Sequence, residues 1–377
     1  MRIHSVTYYH IRMPLRFPFA TSTASRTERD ALIIEVRETD GHVGWGEVVA
    51  GYAPHYSCET AWTAEHILGE FLIPALFDAP IDHPGDFTDR VKWVRGHRMA
   101  RAGLEMALWD LYGKRLGRSL RDLLGGVRDR VPVGVSIGLQ ENPRALVERV
   151  EYYINQGYRR IKLKIKPGYD VEFVRAVREA YPDIPLQVDA NSAYDLDSAQ
   201  TLRPLDDYNL LLIEQPLAHD DLWDHHKLQQ EFRTPICLDE SITSADKARK
   251  AIEMDAARVI NIKVGRVGGL IEAVRIHDLA AQHDVPVWSG GMLETGIGRA
   301  ANLALASLPN FRLPGDISAT DRYYETDITE ERFALNNDST ITVPAGPGLG
   351  VRVNRDALAY YTIHSMTFVN PNLSHPR

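Results

Sequence analysis

Five short apolar runs recur through the middle of the chain: IKLKIK at 161–166, QVDAN at 187–191, LIEQP at 212–216, CLDES at 237–241 and NIKVG at 261–265. Each ends in one charged residue, and these residues, Lys164, Asp189, Glu214, Asp239 and Lys263, are spaced by 25, 25, 25 and 24 positions. Helix-like sequence fills the intervals. A period of that length accommodates one strand, one helix and two short loops, so the pattern predicts a repeated βα unit. A parallel strand buries both faces and ends where the chain meets water. The five charges are therefore expected side by side at the C-terminal rim of a TIM-type (β/α) barrel.

The barrel is expected over 126–325. Its first strand is read at about 131–138 with Ser136 near its end, followed by a helix over 143–157 closed by Gly157. Gly268-Gly269 opens a helix, a seventh strand lies near 285–288, and an eighth near 311–315 ends at Asp316. Before the barrel the pattern changes. Residues 2–13 alternate loosely, and Asp40-Gly41 between two β-like runs signals a hairpin. Residues 15–30 and 51–61 read as polar loops, a helix is expected near 59–72, and 85–124 suggests two or three more. The first 125 residues thus form an α+β capping domain with two candidate mobile loops. The tail, 326–377, returns to β structure through TITVPAGPGLGVRVN.

Composition narrows the function. The 377 residues are 25% charged and 44% hydrophobic, enough for a barrel and a second domain, and the net charge of −8 with no basic cluster argues against a nucleic-acid partner. The opening MRIHSVTYYHIRMPL has neither the apolar core nor the cleavage site of a signal peptide, and no uncharged apolar run is long enough to span a membrane. A cytoplasmic address is expected. Cys58 and Cys237 match no metal or redox spacing and are read as free thiols.

The five charges carry the chemistry. One Asp after a strand is most often the cap of the next helix, but five charges in phase call for another reading. Three carboxylates on successive strands repel one another unless a cation lies between them, and oxygen ligands suit Mg²⁺ or Mn²⁺ better than zinc. Lys162 and Lys164 stand two apart on one strand and so point the same way. With Ile161, Leu163 and Ile165 facing outward, both enter the barrel mouth. Lys263, from beyond the acids, approaches from the opposite side. No GxSxG, HExxH or P-loop competes, and the glycines after Lys263 fit no phosphate fingerprint, so no organic cofactor is expected.

KLK, VDAN, IEQP, LDES and NIKVG in this order resemble the muconate-lactonizing branch of the enolase superfamily. SGGMLETGIGRAANLALASLPNF with LPGDIS resembles more narrowly the o-succinylbenzoate synthases that also racemise N-succinyl or N-acyl amino acids. The resemblance implies abstraction of a proton α to a carboxylate with a divalent cation stabilising the resulting charge, as enolase-superfamily sites are known to do. By that likeness Asp189, Glu214 and Asp239 are metal ligands, Lys164 is the general base, and Lys162, a like charge beside it, lowers its pKa. Lys263 either stays protonated beside the intermediate or serves as a racemase's second base. Asn191 and Glu240, adjacent to ligands but turned away if the strands persist, are candidates for orienting them. The loops of the cap are expected over the mouth, with Phe19, Thr21, Ser22 and Tyr52 against the substrate. Ser136, Ser289, Gly290, Gly291 and Met292 are expected at the pocket too, while Glu294 pairs with a neighbour. Arg266 either lowers the Lys263 pKa by like-charge repulsion or is a solvated surface residue. His277 and His283 fall in a helix, which weighs against the mandelate-racemase branch. A small carboxylate substrate and a homo-oligomer are expected, with menaquinone synthesis or amino-acid conversion as the setting. The alternatives are a cycloisomerase, a non-catalytic metal-carboxylate barrel, or a dipeptide epimerase. The last usually carries Asp-x-Asp after the eighth strand, where GDIS offers only Asp316.

Overall fold

The computed structural model describes residues 1–22 and 24–373. Its strands, in chain order, are β1 (Ile3–Ala20), β2 (Ser25–Glu38), β3 (Val43–Val48), β4 (Arg130–Pro132), β5 (Val135–Ile137), β6 (Ile161–Lys164) and β7 (Leu186–Asp189). They continue with β8 (Ile213–Glu214), β9 (Ile236–Leu238), β10 (Val259–Ile262), β11 (Val287–Ser289), β12 (Thr340–Thr342) and β13 (Thr362–Val369).

Strands β13-β1-β2-β3 form the antiparallel cap sheet. Period-two alternation buries both of its faces. Leu32, Ile34 and Val36 of β2 join the cap's own core under its helices, whereas Ala31 and Ile33 join the core shared with the barrel. The helix Arg98–Leu116 lies flush on β3, because a side chain at Gly46 would meet the Gly103 carbonyl at 2.0 Å. Two buried glutamates lock cap to barrel by accepting from helix N-termini. Glu47 takes the Thr295 and Gly298 amides ahead of and within Gly296–Ala306, and Glu105 takes those of Leu270 and Ile271 in Leu270–Gln282.

Strands β5 to β11 make one parallel sheet in sequence order, with an apolar plug of Leu212, Cys237, Val259 and Trp288 inside its curl. The expected eighth strand is absent. Residues 311–315 instead close the ring through single parallel bridges, Phe311 to Val287 on one edge and Gly315 to Val133 on the other. Pro314, within the run, lacks an amide donor and interrupts any ladder there. Between β7 and β8 a 3₁₀ segment, Ser198–Asp207, interrupted by Pro204, replaces the α-helix of the repeat.

Other boundaries also move. The first barrel run splits into β4, paired with β12, and β5 in the parallel sheet. Residues 15–30, read as a loop, are the outer arms of the β1–β2 hairpin, pairing Phe19 with Arg26 and Ala20 with Ser25. Polar composition misled here because the arm is supported by docking, its Ala20 carbonyl accepting from Leu139 at 3.1 Å. Within the tail, β13 pairs along β1 of the cap sheet, whereas β12 pairs with β4. The tail's last four positions lie outside the described residues. Among the described residues no helix is long and apolar enough to cross a membrane.

Candidate active site

Alternation along β6 sends Ile161 and Leu163 into the core and Lys162 and Lys164 into the mouth. Lys162 Nζ lies 3.1 Å from Asp189, 2.9 Å from Glu214 and 2.6 Å from Asp316, with the Trp288 ring 4.9 Å away. Burial works against its charge, but Asp316, Glu214 and Asp189 hold its pKa well above the usual lysine value. Its charge is thus matched by three carboxylates. Lys164 Nζ donates to Asp189 at 2.5 Å and to Asn191 at 2.7 Å. Despite burial, Lys164 and Lys162 hold the Asp189 carboxyl below its usual range. Burial and Asp189 push Glu214 up, against the pull of Lys162. Against the effect of burial, Lys162 and Arg160 hold the Asp316 carboxyl at about 2.

The other flank draws on three elements. Lys263 stands between β10 and the one-turn helix Val264–Val267, and donates to Asp239 at 2.7 Å. Tyr56, from the cap, lays its ring 4.4 Å from the Lys263 nitrogen and donates its hydroxyl to Asp239 at 2.8 Å. Arg266 pairs with the same Asp239 oxygen as Tyr56 and donates to the Ile242 carbonyl at 2.7 Å and the Asn261 carbonyl at 2.5 Å. It is 4% exposed, so the solvated reading falls. The expected lowering of Lys263 falls as well. Burial does oppose the ammonium, but Asp239 outweighs it and raises the Lys263 pKa. Arg266 spends its charge on Asp239, not against Lys263.

Between the flanks lies a cavity of about 270 Å³. All three lysines, Phe19, Thr21, Ser136, Gly291 and Met292 line it, and the buried Ser136 hydroxyl has no hydrogen-bond partner among the described residues. Asn191 and Glu240 line it too, against the expectation that they turn away. The strands end at Asp189 and Leu238, and Asn191 adopts a left-handed φ of 44°, which brings its amide to Lys164 and to Glu240 at 3.1 Å. Burial, with Asp239 and Asp189 nearby, lifts Glu240 to about 8.

Five expected residues do not line the cavity. Tyr52 is 65% exposed beside an outer groove, Arg266 faces a second cavity behind Tyr56, and Ser22 spends its hydroxyl on the Asn191 carbonyl. Ser289 is buried, and Gly290 instead makes room for Lys263, whose Cε a side chain there would meet at 2.6 Å. Glu294 pairs locally, with the Met292 amide and Asn302. Sequence reasoning missed Arg26, His55, Tyr56, His219 and Tyr323, all in the wall. They sit on loops and hairpin arms, where no periodicity marks a direction.

The acids Asp189, Glu214 and Asp239, each at most 1% exposed, lie behind the lysines on adjacent strand ends. An oxygen-only set in which Glu214 is destabilised by both neighbouring acids fits a hard divalent cation. A second group, Glu38, Asp40 and His42, has ligand atoms within 4.8 Å of one another at the cap hairpin. It lies away from the cavity, and Asp40 and His42 are exposed.

Comparison with known proteins accords with this architecture. Residues 3–125 match the mandelate racemase / muconate lactonizing enzyme N-terminal domain, and 145–357 match the enolase C-terminal domain-like family. An o-succinylbenzoate synthase of Geobacillus kaustophilus is 50% identical over 98% of both chains. An N-succinylamino acid racemase of Amycolatopsis is 51% identical over 93% of this chain and 95% of its own. A solved enolase-superfamily member from Listeria innocua superposes with a TM-score of 0.94 at 40% identity, covering 98% of this chain and 100% of that one. The chain belongs to the enolase superfamily, with the N-terminal domain of its mandelate racemase / muconate lactonizing enzyme family.

Proposed function

We propose that this enzyme takes a proton from the carbon α to a substrate carboxylate, acting as an o-succinylbenzoate synthase and as a racemase of N-succinyl or N-acyl amino acids. One observation carries the reading: Lys164 and Lys263 enter one cavity from β6 and from the end of β10, with three strands between them, β7 to β9, that each carry an acid at or just past their end. Asp189, Glu214 and Asp239 would hold Mg²⁺, or Mn²⁺, which supplies positive charge to the carboxylate oxygens as negative charge grows on them. Among these residues Lys162 stays protonated between its three carboxylates and presents a fixed positive charge. Asn191 and Glu240 orient Lys164 and the acids around it.

In racemisation one lysine, neutral, accepts the α-proton from one face, and the other, as ammonium, delivers a proton to the opposite face. In dehydration Lys164 accepts the α-proton and returns it to the hydroxyl leaving from the same side, so the double bond forms as water departs. Lys263 then remains an ammonium. A dipeptide epimerase reading is disfavoured, because Asp316 is already held by Arg160 at 2.8 Å and Lys162 at 2.6 Å, leaving it no charge for a substrate ammonium. Proton NMR in D₂O tests the reading. With Mg²⁺ present, both enantiomers of an N-succinyl amino acid should exchange their α-proton and interconvert, EDTA should stop this, and Mg²⁺ should restore it. Absence of exchange with both succinyl amino acids and the dehydration substrate would remove the proposal.

A further inference from the structure

The cavity wall holds more positive charge than the proton transfers need. Lys162, Lys164 and Lys263 are each matched by carboxylates at 2.5 to 3.1 Å. Arg26, on the β2 arm, differs. It is half-buried in the cavity wall, yet its guanidinium has no hydrogen bond or ion pair among the described residues. Its nearest charged influences are Arg29, a like charge, and Asp30. Asp30 is taken up by His10 at 3.1 Å and Arg12 at 3.0 Å. A desolvated guanidinium left unpaired is costly, and its planar set of donors matches a carboxylate.

Its position adds a direction. Arg26 and His55 line both the inner cavity and the outer groove beside Tyr52, so Arg26 stands where the two meet. Cross-strand pairing with Phe19 fixes the register of Arg26, and Arg29 on the same strand holds the opposite wall through the Met292 carbonyl at 3.0 Å. A substrate with its α-carbon between Lys164 and Lys263 shares the cavity with Arg26, which stands where that cavity meets the outer groove. A succinyl group ends in a second carboxylate.

We infer that Arg26 is a specificity-determining residue that binds the distal carboxylate of a succinyl-type acyl chain. The inference rests on the α-proton-transfer reading above. Its test compares racemisation of an N-succinyl amino acid with that of the matching N-succinamoyl compound, in which an uncharged amide replaces the distal carboxylate. The Mg²⁺-loaded wild-type enzyme should show a lower KM for the dianion. Arg26→Met should shrink that preference by about tenfold to a hundredfold, through KM rather than kcat, and Arg26→Lys should keep part of it. An unchanged preference in Arg26→Met, or a wild type that does not distinguish the two compounds, overturns the inference while leaving proton transfer standing. Turnover of neither compound by the wild type overturns both.

Discussion

Lys164 and Lys263 face the same cavity, yet the protein supports them in different ways. The β6 flank rests mainly on strands: alternation aims two lysines inward, the ends of β7 and β8 receive them with Asp189 and Glu214, and Asn191 and Asp316 join from beyond the strands. The β10 flank is assembled from a strand end, a one-turn helix and a cap loop, all meeting on Asp239. A second lysine, surrounded by acid, accompanies the first base candidate. An arginine and an aromatic ring accompany the other. The comparison teaches that one flank depends on barrel register, whereas the other depends on cap docking, so the two should fail differently.

The largest effect should come from removing either lysine. Lys164→Ala and Lys263→Ala are each expected to cut racemisation by about 10²–10⁴-fold. Each variant should still exchange the α-proton of one enantiomer in D₂O, with opposite choice in the two. Equal loss for both enantiomers in both variants would show that the flanks do not face each other across the substrate.

Asp239→Asn comes next, because one carboxylate serves the proposed metal set and anchors Lys263, Tyr56 and Arg266 together. We expect Mg²⁺ affinity to fall by at least about tenfold, on the scale seen even for groups that only support metal ligands, with turnover falling alongside. Calorimetry giving wild-type Mg²⁺ affinity would remove Asp239 from the ligand set.

Tyr56→Phe sharpens the contrast. It keeps the ring over Lys263 but loses the 2.8 Å bond to Asp239, worth about 1.5–3 kcal/mol as a hydrogen bond to a charged group. Exchange on the Lys263 face should slow by about tenfold or more, with little change on the Lys164 face. An equal slowing on both faces would mean that the cap supports the flanks alike.

Asn191→Ala should give the smallest change, confined to the other face. Lys164 keeps its Asp189 contact at 2.5 Å, and the lost 2.7 Å bond predicts a decrease of about fivefold to tenfold in its proton exchange. A larger effect on the Lys263 face, transmitted through Glu240, would reverse the division between the two flanks.

Much of the β6 flank was legible in the sequence because it follows from local geometry. A period near 25 residues gives the parallel sheet, a period of two turns Lys162 and Lys164 to one side, and register then sets Lys164 beside Asp189 beside Glu214. What Lys162 would meet was not legible, since Asp316 arrives from a segment without a strand ladder more than 150 positions away.

The sequence by itself determined the barrel, the phase of its five charges and their order around the mouth, since hydrophobic periodicity is a local property that each strand carries within itself. Only the tertiary structure decided what fills the mouth. Tyr56 and Arg26 reach the cavity because buried carboxylates and a shared apolar core dock the cap, and Arg266 is buried because Asp239, Ile242 and Asn261 converge on it. Such placements arise from contacts between segments far apart in the chain. No spacing along the sequence encodes them, because the direction of a loop side chain is set by what it packs against.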